Sequence, residues 1–421
     1  MTRELKRAVV TGLGVVSPLG NSVNEFWNAL IQGKSAAAPI TKFDCSQFKT
    51  RFACEVKNFD PTMFMEQKEA RSLDLYSQYA MAAAVQAFKD SGLEGVSGDP
   101  FRRGVIFASG VGGLLTLQEE ISKYALGGGK PRYSPFMIPK MIANIAAGHI
   151  AIKYDFRGVN YATVSACASS SHAIIDSLNM IRLGIADVII TGGSEAPVNN
   201  TGLGGFCALR ALSERNDDPA TASRPFDKDR DGFVLGEGSA ALVIESLEHA
   251  AKRGARIYAE VAGGGMTADA YHTTLPHPDG RSVEKAMEVA LYDSELNPGE
   301  IGYINLHATS TPAGDGPELA AVQRLFKDSL DKLHVSGTKS MTGHLLGGAG
   351  GLEATATILA MFNGIIPPTI NTVNPDPALD IRVDLTLGKA VEKKLSAAMS
   401  NTFGFGGQNA STVFKNLELR T

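Results

Sequence analysis

"NYATVSACASSSHAIIDSL" (residues 160–178) sets a strand-like run, 161–166, directly against a helical pattern, 168–183, that stops at Gly184. Cys167 stands at the junction, with Ala and Ser crowded on both sides. The same alternation extends outward along the chain. Short runs rich in Val and Ile predict strands at 7–13, 103–109, 187–193 and 239–245, and an Ala-rich pattern predicts a helix over 71–92. Strands alternating with longer helical patterns predict an α/β fold whose sheets are covered on both faces.

After "EHAAKRGARIYAEVAGGG" (248–265) the rhythm begins again. It predicts strands at 257–262 and 301–306, helices at 281–293, 315–328 and 351–362, and a terminal strand, Gly-rich turn and strand. This divides the chain into two α/β halves, 1–255 and 256–421. The stretch 199–236 lacks periodicity and carries "RNDDPATASRPFDKDRDGF" (215–233), which reads as an irregular covering loop with a solvated charged face.

At 421 residues and 44% hydrophobic content the chain can bury a large core, as two domains or as one duplicated fold. A net charge of −4 with dispersed signs favours neither nucleic acid nor an anionic membrane as partner. The four cysteines (Cys45, Cys54, Cys167, Cys207) form no CxxC pair, which fits a reducing, cytoplasmic setting. No apolar run approaches the roughly 18 residues of a membrane span. The glycine-broken start, "MTRELKRAVVTGLGVVSPLG" (1–20), reads as a first core strand rather than a signal peptide.

Two readings of Cys167 stand open on its own stretch: a small buried core residue, or a nucleophile lifted from the sheet at a helix N-terminus. In the second, orphan N–H groups and the helix dipole lower the thiol pKa. Of the histidines, His172 lies five positions along the same helix and faces elsewhere, while His249, His272 and His277 read as structural. His307 follows an apolar strand and opens a Thr/Ser-rich loop. His344 sits among glycines just before a helix, five residues after Lys339. Nucleotide binding is disfavoured. Gly12-x-Gly14 is followed by Ser17 in place of a third glycine, no P-loop occurs, and "FGFGG" (403–407) lies between strands.

Taken together, "SACASS" (165–170), "ASRPFDKDRDGFVLGEG" (222–238), "HATSTPAGD" (307–315), "KSMTGHLLGGAGG" (339–351) and "NTFGFGGQN" (401–409) resemble the 3-oxoacyl-[acyl-carrier-protein] synthases, most closely the elongating type II enzymes. The resemblance begins at "VVTGLGVVSPLG" (9–20) and runs almost to the C-terminus. It implies the thiolase-like five-layered αβαβα fold of two similar halves, usually a homodimer, and a decarboxylative condensation that extends acyl chains by two carbons.

By the same resemblance, Cys167 is the acyl-carrying nucleophile, His307 and His344 act on malonyl-carrier protein, and Lys339 supports the site electrostatically. The Phe405 N–H joins that of Cys167 as an oxyanion hole. Thr309, Thr311 and Phe403 are substrate-binding, and Glu353 is a structural acid. The acyl carrier protein is the partner. Lys68, Arg71 and Arg210 fall near its docking positions, with Ser72 where lysine is frequent. No cofactor beyond the carrier's phosphopantetheine and no metal is implied, although some relatives hold a monovalent cation nearby. Ala308 stands where glycine is commoner, which would crowd the malonyl pocket, and Gly316 stands where a polar residue is usual.

Alternatives remain. A thiolase would want a second catalytic cysteine near the C-terminus, whereas Cys207 is the last here. Initiating and chalcone-synthase-like enzymes use Cys, His and Asn, which His344 opposes. A non-elongating chain-length partner would lack the nucleophile. A synthase of a specialised polyene or polyketide pathway keeps the same residues.

Overall fold

The computed structural model describes residues 5–417. The strands of its main sheet are β1 (Ala8–Val16), β2 (Arg103–Ala108), β3 (Asn160–Tyr161), β4 (Val188–Glu195), β5 (Gly238–Ser246), β6 (Ala259–Ala268), β7 (Ile301–Asn305), β8 (His334–Ser336), β9 (Ala397–Gly404) and β10 (Gln408–Lys415). They form one ten-stranded sheet in the order β8-β7-β9-β10-β6-β1-β5-β4-β2-β3. The topology is written twice. β2 runs parallel to β3 and β4, as β7 does to β8 and β9. β5 runs antiparallel to β1 and β4, as β10 does to β6 and β9. An antiparallel contact between β1 and β6, with Ala8 opposite Val261, joins the halves.

Four helices make the remaining layers. α1 (Leu75–Ser91) covers one face of β1, β5 and β4, and α3 (Arg281–Ser294) covers β6 and β10. Between the two half-sheets lie α2 (Ser169–Arg182), against β4 and β2 on one side and β10 and β6 on the other, and α5 (Ala349–Asn363), against β9 and β5. α4 (Asp315–Leu325) follows the loop after β7 and packs on α3. This is the two-half, five-layered arrangement that the resemblance implies. A helix sandwiched between sheets has no solvent face, and α5 is buried from Ala349 to Met361.

Two glycines explain how closely the outer helices approach. A Cβ on Gly14 of β1 would overlap the Ala83 carbonyl of α1, and one on Gly265 of β6 would overlap the Ala286 carbonyl of α3. The Gly12-x-Gly14 pattern therefore serves helix packing, at equivalent places in the two halves.

Three expectations need correction. The strand predicted over 161–166 ends at Tyr161. Beyond it the chain bonds to the first turn of α2: Ser165 N–H donates to Ser169 Oγ at 2.8 Å, and the Thr163 hydroxyl donates to the Ser169 carbonyl at 2.7 Å. The helix predicted over 71–92 is broken, because buried Asp74 caps α1 by accepting the Tyr76 N–H. The 199–236 segment is neither wholly irregular nor wholly a solvated face. It contains a helix, Asn200–Ala208, and Arg224, Asp227 and Arg230 turn inward, while Glu214, Asp217, Asp218, Lys228, Asp229 and Asp231 stay exposed. Arg230 pairs with Asp376 at 2.7 Å and lies 3.7 Å from Asp315, while Asp227 accepts the N–H groups of Val373 and Asn374. Paired charges satisfied in this way tolerate burial that an unpaired run does not. Among the described residues, no helix is long and apolar enough to cross a membrane.

Candidate active site

The turn between β3 and α2 is built to hold Cys167 still. Ala166 takes a left-handed φ of 49°. Ser169 Oγ donates to the Ala166 carbonyl at 2.6 Å, and Ser165 Oγ lies 2.6 Å from His172 Nδ1. His172 thus braces the turn instead of facing Cys167. The end of β9 supports the turn from beneath, where a Cβ on Gly404 would come within 2.9 Å of the Ser165 carbonyl and 3.1 Å of Cys167 N. Glycine is required there by close approach rather than by a phosphate. The Cys167 N–H has no acceptor among the described residues, and the Phe405 N–H is near enough to the Cys167 sulfur to favour its thiolate.

Both singled-out histidines converge on that sulfur. His344 Nε2 lies 3.0 Å from Cys167 Sγ, and the His307 and His344 rings meet edge-on with centroids 5.3 Å apart. His344 follows the one-turn helix Lys339–Thr342 and is pinned by backbone bonds from its N–H to the Val234 carbonyl and from the Gly236 N–H to its own carbonyl. Phe233 packs on His344 and Phe403 on His307. Lys339 Nζ lies 3.2 Å from His307 Nδ1 and is ion-paired with Glu353. Glu353 therefore touches the centre only through Lys339.

Acids on α4, which reasoning from residues missed, hold the loop after β7. Glu318 accepts the N–H groups of His307 and Ala308 at 2.8 Å each, and Asp315 accepts that of Ser310 at 3.0 Å. Their i, i+3 spacing in "DGPE" puts both on one helix face, which was the available signal. Glu195, also missed, accepts the N–H groups of Gly110, Val111 and Gly347 and so ties the loop after β2 to the His344 turn.

The electrostatics reverse one expectation. Burial pushes the Cys167 thiol up to about 11, and Lys339 and the Phe405 N–H only partly offset it. Burial prevails, because desolvating a thiolate costs more than one nearby cation and one N–H return. Burial, followed by the charge of Lys339, holds both histidines well below the usual imidazole range, so both are neutral. Burial raises Glu318 and Glu353 to about 7 each, against their hydrogen bonds and Lys339. Below a thiol's pKa its thiolate fraction grows tenfold per pH unit. Iodoacetamide alkylation of Cys167, followed by peptide mass mapping, is expected to accelerate about tenfold per unit between roughly pH 7 and 9. Lys339→Met, which removes the cation that lowers the thiol pKa, is expected to slow it. A flat profile would mean that the thiolate is already formed at neutral pH.

A cavity of about 530 Å³ opens onto the three side chains. Thr309 and Thr311, with hydroxyls 3.0 Å apart, lie on its wall together with Phe403, Phe405 and Arg210. Ala308, whose φ is 27°, also lines the cavity, and a Cβ on Gly337 would lie 2.8 Å from its methyl. Lys68 and Arg71 are exposed on the short helix Gln67–Arg71, outside the cavity wall.

Residues 6–250 match the family "Beta-ketoacyl synthase, N-terminal domain", and residues 258–373 match "Beta-ketoacyl synthase, C-terminal domain". The chain is 48% identical to a 3-oxoacyl-[acyl-carrier-protein] synthase 2 of Coxiella burnetii, over 98% of this chain and 99% of the relative. It is 47% identical to the Synechocystis protein of the same name, over 99% of both. Among solved structures, a beta-ketoacyl synthase from Burkholderia phymatum superposes with TM-score 0.90 at 34% identity, covering 98% of this chain and all of that one. A ketosynthase in complex with its type II acyl-carrier protein does so with TM-score 0.90 at 32% identity, again over 98% and 100%. Both family domains are matched in order across one reaction centre, and relatives nearly half identical extend from end to end, so the chain belongs to the beta-ketoacyl synthase family.

Proposed function

We propose that this protein is a 3-oxoacyl-[acyl-carrier-protein] synthase, an acyltransferase that condenses malonyl-carrier protein with an acyl group held on Cys167. The observation that carries the reading is the 3.0 Å approach of His344 Nε2 to Cys167 Sγ with His307 beside it. The Cys167 sulfur attacks the thioester carbon of an acyl-phosphopantetheine. The N–H groups of Cys167 and Phe405 receive the oxyanion, and the thiol proton leaves on the departing pantetheine sulfur. Malonyl-phosphopantetheine then enters. Its carboxylate–carbon bond breaks, CO2 leaves, and the electron pair becomes an enolate on the thioester oxygen.

The neutral imidazoles suit that oxygen. His344 Nδ1 accepts the Leu346 N–H at 3.3 Å, and His307 Nδ1 faces the Lys339 ammonium, so each ring carries its proton on Nε2. Two N–H donors then receive the developing charge. The enolate carbon attacks the acyl-Cys167 carbon, the C–S bond breaks, and Cys167 leaves as a thiolate that takes a proton from solvent, with a 3-oxoacyl product two carbons longer.

The same reading divides the chain into 1–255, carrying the nucleophile, and 256–421, carrying both histidines. It makes the acyl carrier protein the partner, presenting substrates on phosphopantetheine past Thr309 and Thr311, with Lys68, Arg71 and Arg210 as docking cations. The protein acts as a cytoplasmic homodimer and needs no redox cofactor or metal for these steps. A second reading, a ketosynthase of a specialised pathway, is favoured by structural neighbours such as the ishigamide ketosynthase/chain length factor, with TM-score 0.90 at 33% identity.

Intact-protein mass spectrometry with acyl-carrier proteins of graded chain length tests both readings. One acyl addition, mapped to Cys167 and strongest for saturated medium and long chains, supports fatty acyl elongation. A preference for polyene or poly-keto chains selects the second reading. Acylation elsewhere, or none with any chain, sinks both.

A further inference from the structure

The donor atoms of Cys167, His307 and His344 all lie within 4.8 Å of one another, and all three side chains are buried. Two imidazoles and a sulfur at this spacing, open to a cavity on the fourth side, make the donor set of a three-ligand site for Zn2+ or Cd2+. A nucleophile in such a cluster risks capture by a stray thiophilic cation.

The surroundings of the two rings oppose capture. An imidazole that binds a metal gives it a lone pair and donates its other N–H to an acceptor. Here the position of that acceptor is taken by a donor at both rings. Lys339 Nζ stands 3.2 Å from His307 Nδ1, and the Leu346 N–H points at His344 Nδ1 from 3.3 Å. The nitrogen turned to Cys167 therefore carries hydrogen, and it offers no lone pair. For a metal to enter, the Cys167 S–H bond would have to break and its proton leave to buffer. Each Nε2 proton would also have to move to Nδ1, where His307 would meet an ammonium. The Lys339 charge repels the ion as well.

We propose that Lys339 and the Leu346 N–H, besides setting the rings for condensation, keep this Cys/His/His cluster closed to thiophilic divalent cations. Lys339 is here a positioning residue that acts through His307. The proposal concerns the same site as the condensing reading and rests on it for significance, but its test reads metal rather than turnover.

CdCl2 is titrated into the full chain carrying Cys45→Ser and Cys207→Ser. The thiolate-to-cadmium ultraviolet band and equilibrium dialysis report binding. The parent is expected to show no band. Lys339→Gln, whose amide oxygen accepts an Nδ1–H, is expected to bind one equivalent at least about tenfold more tightly than the parent. That band should vanish when Cys167→Ser is added. Because Lys339→Gln strands buried Glu353, the paired variant Lys339→Gln/Glu353→Gln provides a folded alternative, checked by circular dichroism. Cadmium held at Cys167 by the parent as tightly as by these variants would overturn the proposal. So would folded variants that gain no binding. Acyl loading of the parent, measured separately by mass, shows whether the condensing reading stands regardless of the metal result.

Discussion

Cys167→Ala is expected to lower condensation by about 10⁴-fold or more, with no acyl group retained on the protein. No other sulfur can take over. Among the described residues, only Cys167 has a sulfur facing both histidines, and Cys54 is buried behind Gly343. The substitution removes one buried sulfur from a turn whose hydrogen bonds run through Ser165, Ser169 and His172, so the fold should persist. The measurement pairs chain-extension assays with intact mass after incubation with acyl-carrier protein. A Cys167→Ala protein that still elongates would refute the covalent mechanism.

His307→Ala and His344→Ala are each expected to lower decarboxylation of malonyl-carrier protein by roughly 10²–10³-fold, the effect of removing one donor from a preorganised oxyanion site. Acyl loading of Cys167 should survive in both, because the N–H groups of Cys167 and Phe405 stay in place. The double variant should fall short of the product of the single effects, since the donors act on one oxygen. Because burial and Lys339 keep both rings neutral, neither ring should take up a second proton on descending from neutral pH to about pH 6, and the wild-type decarboxylation rate should show no inflection from their titration. CO2 release and protein mass, measured in parallel, separate the two half-reactions. If loading failed and decarboxylation persisted, the histidines would belong to acyl transfer instead.

Much of this site was legible in linear order. Cys167 stood at a strand-to-helix junction among small residues, His307 followed an apolar strand, and His344 preceded a helix in a Gly-rich run. These are local facts, written in neighbours a few positions apart. The alternation of short apolar runs with helical patterns, restarting after residue 255, likewise pointed to an α/β fold, because side-chain periodicity is a property of consecutive residues. The family motifs supplied the two-half architecture.

The remainder was settled by packing. Cys167 and His344 are 177 residues apart, and only the order of strands in the sheet brings their side chains within 3.0 Å. The direction of the thiol shift differs from expectation because a helix terminus is visible in a sequence whereas depth of burial is not, and desolvation outweighs the Lys339 charge and the Phe405 N–H. Arg224, Asp227 and Arg230 looked like a solvated run for the same reason, since their burial depends on Asp315 and Asp376 arriving from later in the chain. The tautomers of the two histidines depend on Lys339 and on a backbone N–H. By itself the sequence determined which elements form and which side chains can react, since both follow from covalent neighbours. Only the tertiary structure decided their protonation and the direction of their hydrogens, because those depend on groups that folding alone brings close and on the water it removes.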